Sequence, residues 1–106
     1  MLLISAYDYL RLADKFENQR LYRFAEQLRG SGLSMSNNIA EGSGSNSKRE
    51  FLRFLNIARC STFESANVLL VMEKRKLVDE SEVTVLLQRL DRLCRKISSF
   101  QKSLRD

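Results

Sequence analysis

The chain has 106 residues, 43% of them hydrophobic, which is enough for one domain with a single small core. It contains no histidine and no proline, and its two cysteines lack a metal-binding spacing. Because the commonest general base and metal ligand is missing, we expect no catalysis, no metal and no cofactor. The net charge of +5 permits attraction to nucleic acid without demonstrating it.

The N-terminal segment predicts a helix over residues 2–16, because apolar residues recur there at intervals of three and four. Leu3, Tyr7 and Leu10 form a second apolar stripe beside the first. The segment has no basic lead and is interrupted by Asp8, so we predict neither a signal peptide nor a membrane span. With two cysteines, both expected to be small buried side chains, a reducing cytoplasm is the expected location.

The second predicted helix, residues 21–41, keeps the apolar spacing but contains a run of small residues from Gly30 to Ser36. Glycine and serine are poor helix formers, so this run indicates close helix packing or a kink. The alternative is a loop over residues 30–33.

A stretch of small polar residues follows the second helix. Gly42 or Gly44 is expected to end the helix with a positive φ. Ser47 and Glu50 form a capping-box pattern that starts the next helix. The stretch lacks the lysine ending of a phosphate-binding loop, so we interpret it first as a turn. Lys48 and Arg49 follow at a helix N-terminus, where a phosphate would be favoured.

The third predicted helix, residues 48–76, is apolar on two faces. One face has the heptad rhythm of antiparallel packing. The second includes Leu52, Phe63 and Leu70, and it exceeds what one small core can use. We therefore predict that these three residues, with Leu3, Tyr7 and Leu10 of the first helix, line a subunit interface.

The fourth predicted helix, residues 82–104, follows a second capping-box pattern at Asp79 and Glu82. Its apolar stripe is regular, and seven spaced residues define it: Val83, Leu86, Leu90, Leu93, Ile97, Phe100 and Leu104. Short connections between the four helices predict an all-α, antiparallel up-down-up-down four-helix bundle, with residues 1–106 as one domain.

Basic residues of the fourth helix form the predicted nucleic-acid surface. Arg89, Arg92 and Lys96 share one face, whereas Arg95 and Lys102 lie opposite the leucine stripe. They form either a solvated face or a stripe that follows phosphates, joined by Lys48 and Arg49. No aromatic residue is interleaved with these basic residues in this interpretation, so the pattern predicts backbone contacts and not base stacking.

Three polar residues, Asn38, Glu41 and Glu64, allow two interpretations. They are either exposed or only cap helix ends, or they hydrogen-bond across the second and third helices and fix their register. The run Asn38-Ile39-Ala40-Glu41-Gly42 continues to Gly44 and Glu50-Phe51, and the spaced apolar pairs 54–55 and 57–58 follow it.

This run and its spacing resemble the small bacterial four-helix-bundle proteins encoded in intervening sequences of large-subunit ribosomal RNA genes. Accessory proteins of diversity-generating retroelements are similar. The chain departs from the family pattern at Cys60, where a glycine is usual, and at the turn over residues 74–77, which lacks glycine. The resemblance favours the buried-network interpretation for Asn38 and Glu41.

The resemblance implies a ring-forming homo-oligomer, in particular a homopentamer. The preferred function is that of a non-catalytic nucleic-acid-binding or accessory protein that acts on RNA or an RNA–DNA intermediate. The alternative is a structural or protein-interaction adaptor, for example for a reverse transcriptase, that does not itself bind nucleic acid.

Overall fold

The computed structural model describes the backbone of residues 2–18, 20 and 22–106, and the side chains of residues 10–18, 20 and 22–106. Four helices account for most of this backbone, and no strand occurs in the described residues. The helices are Leu2–Asn18 (α1), Tyr22–Ser43 (α2), Lys48–Lys74 (α3) and Glu80–Arg105 (α4). In the described part of the chain, no helical segment combines the length and apolar character that a membrane span requires.

The helices are long relative to the molecule, which measures 44 × 21 × 19 Å. At a rise of about 1.5 Å per residue, α3 and α4 each extend roughly 40 Å and therefore follow the long axis. Helix α2 packs against α1 and α3, and α4 packs against α3 and more weakly against α1. All four helices contribute to one core, whose largest fully buried apolar side chains are Phe16, Leu28, Met35, Leu55, Leu69, Met72 and Ile97.

Helix α2 is continuous through its run of small residues, so the alternative of a loop over residues 30–33 is wrong. Ser31 and Gly32 are buried, whereas Gly30 is exposed with no neighbouring heavy atom within 4 Å of an added Cβ. Burial of small residues on one side of the helix lets neighbouring helices approach closely, which offsets their poor helix propensity.

The expected left-handed glycine at the end of α2 is wrong, because no described glycine has a positive φ. The helix continues through Gly42 to Ser43. Gly42 is instead required by packing: a Cβ there would lie 2.8 Å from Phe51 Cδ1 and 2.9 Å from Phe54 Cβ. Gly44 lies in the turn, and its added Cβ would have only ordinary contacts at 3.7 Å or more.

The capping box before α3 is half formed. Ser47 Oγ accepts a hydrogen bond of 3.2 Å from the Glu50 amide. The Glu50 carboxylate, however, accepts from Arg53 at 3.1 Å, and the Ser47 amide donates to Ser45 Oγ at 3.2 Å. The reciprocal bond expected from Glu50 is therefore replaced by the Ser45 hydroxyl.

Helix α3 ends at Lys74, two residues before the predicted end, in a Schellman motif. The Lys76 amide donates to Glu73 O at 2.9 Å, and the Leu77 amide donates to Met72 O at 3.0 Å. Lys76 has a φ of 58°, the position at which such motifs usually place glycine. Helix α4 starts at Glu80, two residues earlier than predicted, and Asp79 is its N-cap residue without a side-chain cap bond.

Candidate functional site

Three of the predicted nucleic-acid-binding residues lie on one outward surface of α4. Arg92, Arg95 and Lys96 line a shallow, open depression of about 490 Å³ together with Ser99, Phe100 and Ser103. We call this the α4 surface.

One ion pair of the α4 surface is exposed to solvent. Arg95 bonds to Asp91 at 3.1 Å, and both side chains are largely exposed. Exposed pairs of this kind are weak and screened by salt, so Arg95 remains available for exchange to another anion. None of the described residues that line the depression is acidic.

Arg89 lies apart from this surface, in a cleft between α1 and α4. This cleft has a volume of about 440 Å³, and the residues that line it are Arg11, Leu12, Lys15, Glu82, Val85, Leu86 and Arg89. Lys15 bonds to Glu82 across the cleft at 3.4 Å. The predicted stripe of Arg89, Arg92 and Lys96 is thus divided between two surface features.

Lys48 and Arg49 are exposed in the first turn of α3, and Lys102 is exposed near the end of α4. The Phe51 and Phe100 rings meet edge to face, with centroids 5.3 Å apart. Because Phe51 lies in the first turn of α3, this contact brings the N-terminus of α3 to the part of α4 that carries Phe100. Lys48 and Arg49 therefore occur at the same end of the molecule as Lys102.

The sequence interpretation assigned Phe100 to the wrong face of α4. It was expected in the buried stripe of α4, but its side chain is 43% exposed, whereas Gln101 is 5% exposed and occupies the core. A 3.5-residue apolar pattern drifts by about 20° per heptad on a straight helix of 3.6 residues per turn. By the third heptad the drift moves Phe100 toward the basic side and Gln101 inward, a shift that a helical wheel with the true period could have found.

The predicted interface residues differ in exposure. Phe63 is 59% exposed and Leu70 is 45% exposed, whereas Leu10 and Leu52 are half-buried. The side chains of Leu3 and Tyr7 lie outside the described residues. An apolar groove of about 150 Å³ adjoins Phe63 between α3 and α4, and its further lining residues are Thr62, Ala66, Leu87, Leu90, Asp91 and Cys94.

The polar network between α2 and α3 involves Asn38 but neither glutamate. Asn38 Nδ2 donates to Ser34 O at 2.7 Å and to Ser34 Oγ at 3.2 Å. Ser34 Oγ in turn lies 2.9 Å from Ser61 Oγ across the helix pair. Glu41 and Glu64 are exposed, so the buried interpretation is wrong for them. The hydroxyls of Ser34 and Ser61 connect α2 to α3. That these two serines face each other could not be predicted from their spacing in the sequence alone.

The titratable groups of the described residues form an ion-pair cluster but no metal-binding group. No group of three or more histidine, cysteine, aspartate or glutamate residues is positioned there to hold a metal ion. Hydrogen bonds to Asp14 and Glu17, at 2.9 and 2.6 Å, raise the pKa of Arg29 above its ordinary value. That cluster joins α1 to α2.

The two cysteines are less buried than expected. Cys60 is exposed and Cys94 half-buried, and both are free thiols. The expectation of burial is wrong for Cys60 because it lies two positions beyond the buried Ala58, about 200° around the helix.

A family model described as 23S rRNA-intervening sequence protein matches residues 5–99 of the chain. The chain belongs to this family. The matched segment contains Asn38, the turn before α3, and Arg92 to Lys96, but it ends one residue before Phe100.

The fold of the intervening-sequence family member also occurs in a solved structure. A crystal structure of a protein of unknown function from the S23 ribosomal protein family, from Bacteroides thetaiotaomicron, is similar with a TM-score of 0.83. The similarity covers 96% of this chain and 99% of that chain, at 17% sequence identity, and at this identity it shows the fold alone. No curated protein matches the chain.

Proposed function

We propose that this intervening-sequence protein is a non-catalytic nucleic-acid-binding protein that acts as a ring of identical subunits, a homopentamer, on RNA or an RNA–DNA intermediate in the cytoplasm. Each subunit is proposed to be an up-down-up-down bundle. The observation that carries the proposal is the α4 surface, where Arg92, Arg95 and Lys96 adjoin one open depression without an acidic lining residue among those described.

Charge and repetition support binding to a phosphate backbone. Each neutralised phosphate releases counterions, so binding is favourable at low salt and needs no sequence recognition. In a ring, the three cations recur once per subunit, and weak contacts multiply through the effective concentration of the linked sites. The family description, which refers to ribosomal RNA, is consistent with RNA as the ligand.

Binding to labelled structured RNA and duplex DNA at about 50 mM salt, followed through a salt titration, tests this proposal. The variant Arg92→Gln/Arg95→Gln/Lys96→Gln should bind more weakly and show a shallower dependence of log affinity on log salt, by roughly 0.7–0.9 for each phosphate that the variant no longer neutralises. The matched control is Arg11→Gln/Lys15→Gln/Arg89→Gln, which removes the same charge from the α1–α4 cleft.

The control variant separates local contacts from overall charge. If it weakens binding as much as the α4 triple variant, the interaction depends on net charge and not on the α4 surface. If the unmodified protein binds neither RNA nor DNA at this salt concentration, the proposed function is wrong.

The exposed apolar residues of α3 support self-association. Phe63 lines the groove beside α4, Leu70 of the same helix is also exposed, and burial of a phenylalanine contributes about 1.5–3 kcal/mol. Phe63→Asp should therefore reduce the mass found by light scattering. Leu33→Asp, which changes a similarly exposed residue of α2, should leave the mass unchanged. A monomeric unmodified protein at micromolar concentration would contradict the ring.

The same apolar groove favours a second candidate function, that of a protein-interaction adaptor. The resemblance to accessory proteins of retroelements makes a reverse transcriptase the partner to test. The adaptor would be favoured if a purified reverse transcriptase bound the ring at a salt concentration that abolishes nucleic-acid binding, and if Phe63→Asp removed that interaction.

A further inference from the structure

An aromatic ring stands among the cations of the α4 surface. Phe100 lines the same depression as Arg92, Arg95 and Lys96, and Ser99 and Ser103 complete the lining. Phe100 is 43% exposed, whereas the next residue, the polar Gln101, is buried in the core. An apolar ring surrounded by cations and hydroxyls is the combination by which proteins bind single-stranded nucleic acid.

The Phe100 ring is also held in place. It contacts the Phe51 ring at a centroid distance of 5.3 Å and an interplanar angle of 69°. Edge-to-face pairs of this type are favourable beyond simple burial. Contact with the first turn of α3 therefore limits the rotamers of Phe100, and a base that stacks on a restrained ring loses less conformational entropy on binding.

The spacing along α4 suits a short stretch of nucleic acid. Arg92, Lys96 and Phe100 follow one another at intervals of four residues, so they span about 12 Å of the helix. At an axial rise of about 3.4 Å per nucleotide of one stacked strand, this span matches roughly three nucleotides. Two phosphates beside Arg92 and Lys96 would bring the next base to Phe100.

An apolar protein partner fits the depression less well. Five of its six lining residues are charged or carry hydroxyl groups, and burial of those groups against an apolar surface would remove their hydrogen bonds to water without replacing them. A polyanion with aromatic bases satisfies the cations and the ring together.

We infer that Phe100 is a stacking site for an unpaired base, and that Arg92 and Lys96 bind the phosphates beside it. The ligand class is a nucleic acid with unpaired nucleotides, either a single strand or a loop of a structured RNA. This inference rests on the proposed nucleic-acid function and deepens it, because duplex DNA offers no unpaired base to stack.

The test compares a single-stranded RNA, a single-stranded DNA and a duplex of the same length at low salt, by fluorescence anisotropy. Phe100→Leu removes the aromatic face but keeps an apolar side chain, and it should weaken single-strand binding at least about fivefold. Duplex binding should change by less than about twofold, because a duplex offers no unpaired base to stack on residue 100. Phe100→Tyr should restore single-strand binding, and Tyr22→Leu, which changes an exposed aromatic residue of α2, should have no effect.

A direct measurement uses a strand with a fluorescent adenine analogue whose emission is quenched by stacking. The unmodified protein should quench it and Phe100→Leu should not, while circular dichroism and light scattering show unchanged helicity and mass. The RNA and DNA strands distinguish the two sources of unpaired bases: equal affinity indicates stacking and phosphate contacts alone, and preference for RNA indicates added contacts to the ribose hydroxyl.

The outcomes separate this inference from the proposed function. Equal binding of single strand and duplex, unaffected by Phe100→Leu, would overturn the stacking site and leave backbone binding intact. Absence of binding to every probe would overturn both. Loss of helicity or ring mass in Phe100→Leu, without quenching by the unmodified protein, would show that Phe100 serves packing and would overturn the stacking site.

Discussion

The chain has one glycine in the last turn of α2, Gly42, and one in the connection to α3, Gly44, and neither has a positive φ. The connection between α3 and α4, by contrast, contains no glycine and one residue with positive φ, Lys76. Glycine in this chain is thus not placed where the backbone is unusual. Gly42 lies where α2 passes closest to the Phe51 and Phe54 side chains of α3. The comparison teaches that distance between helices, and not turn geometry, requires glycine at residue 42.

The largest expected effect is that of Gly42→Ala. The new methyl group would lie within 2.9 Å of Phe54 Cβ, an atom next to the backbone that cannot move without moving α3. Overpacking of this kind costs roughly 1–3 kcal/mol, so we expect the free energy of unfolding to fall by about 2 kcal/mol. Urea unfolding at a fixed protomer concentration measures it, because oligomer stability depends on concentration.

The control for Gly42→Ala is the same change at Gly30, in the same helix. An added Cβ there meets no heavy atom within 4 Å, so the better helix propensity of alanine should stabilise the protein by about 0.5–1 kcal/mol. Equal effects of the two substitutions would show that α2 and α3 do not approach closely at Gly42.

This contrast shows which features the sequence could predict. Apolar spacing predicted four helices, and their ends differ from the structure by about two residues, because spacing fixes the buried face but not the last hydrogen bond. The purpose of Gly42 was missed because its neighbours, Phe51 and Phe54, meet it only after the chain folds back. Local pattern identifies elements, and contacts between elements need the fold.

The candidate site, like the fold, could be predicted from the sequence only in part. The basic residues of α4 were identified from composition and helical spacing, but the separation of Arg89 from Arg92 depends on the α1–α4 cleft, which no local pattern encodes. Phe100 was missed for a different reason, the accumulated drift between a heptad pattern and a straight helix. An error of one helix position at residue 100 exchanges a buried residue for an exposed one.

Ser47→Ala tests the start of α3. Ser47 Oγ accepts the Glu50 amide hydrogen bond, and loss of an N-cap of this type costs about 1 kcal/mol. Ser43→Ala is the matched control, because the Ser43 hydroxyl donates to Ala40 O within α2 and does not cap a helix. We expect thermal unfolding to show a lower Tm for Ser47→Ala alone. Equal Tm values for the two variants would show that the cap contributes nothing in solution.

Lys76→Gly tests the connection between α3 and α4, where the residue with positive φ is not a glycine. A side chain in the left-handed region is strained by its Cβ, and glycine removes that strain at the cost of a more flexible unfolded chain. We expect a gain of about 0.5–1 kcal/mol in the free energy of unfolding. Lys76→Ala removes the same charge but keeps the Cβ, so it should give no comparable gain. A loss of stability in Lys76→Gly would mean that the lysine side chain contributes contacts that outweigh its backbone strain.

Asp79→Ala should have the smallest effect, although Asp79 occupies the N-cap position of α4 as Ser47 does that of α3. The Asp79 backbone has the extended geometry of an N-cap residue, with φ of −71° and ψ of 140°, but its carboxylate makes no cap hydrogen bond. Its remaining contribution is the attraction of a negative charge to the helix N-terminus, about 0.3 kcal/mol where Glu80 and Glu82 already supply charge. That attraction is screened by salt, so the difference from the unmodified protein should disappear in urea unfolding near 1 M salt. A loss of about 1 kcal/mol that persists at high salt, as expected for Ser47→Ala, would show that the Asp79 carboxylate caps the helix in solution.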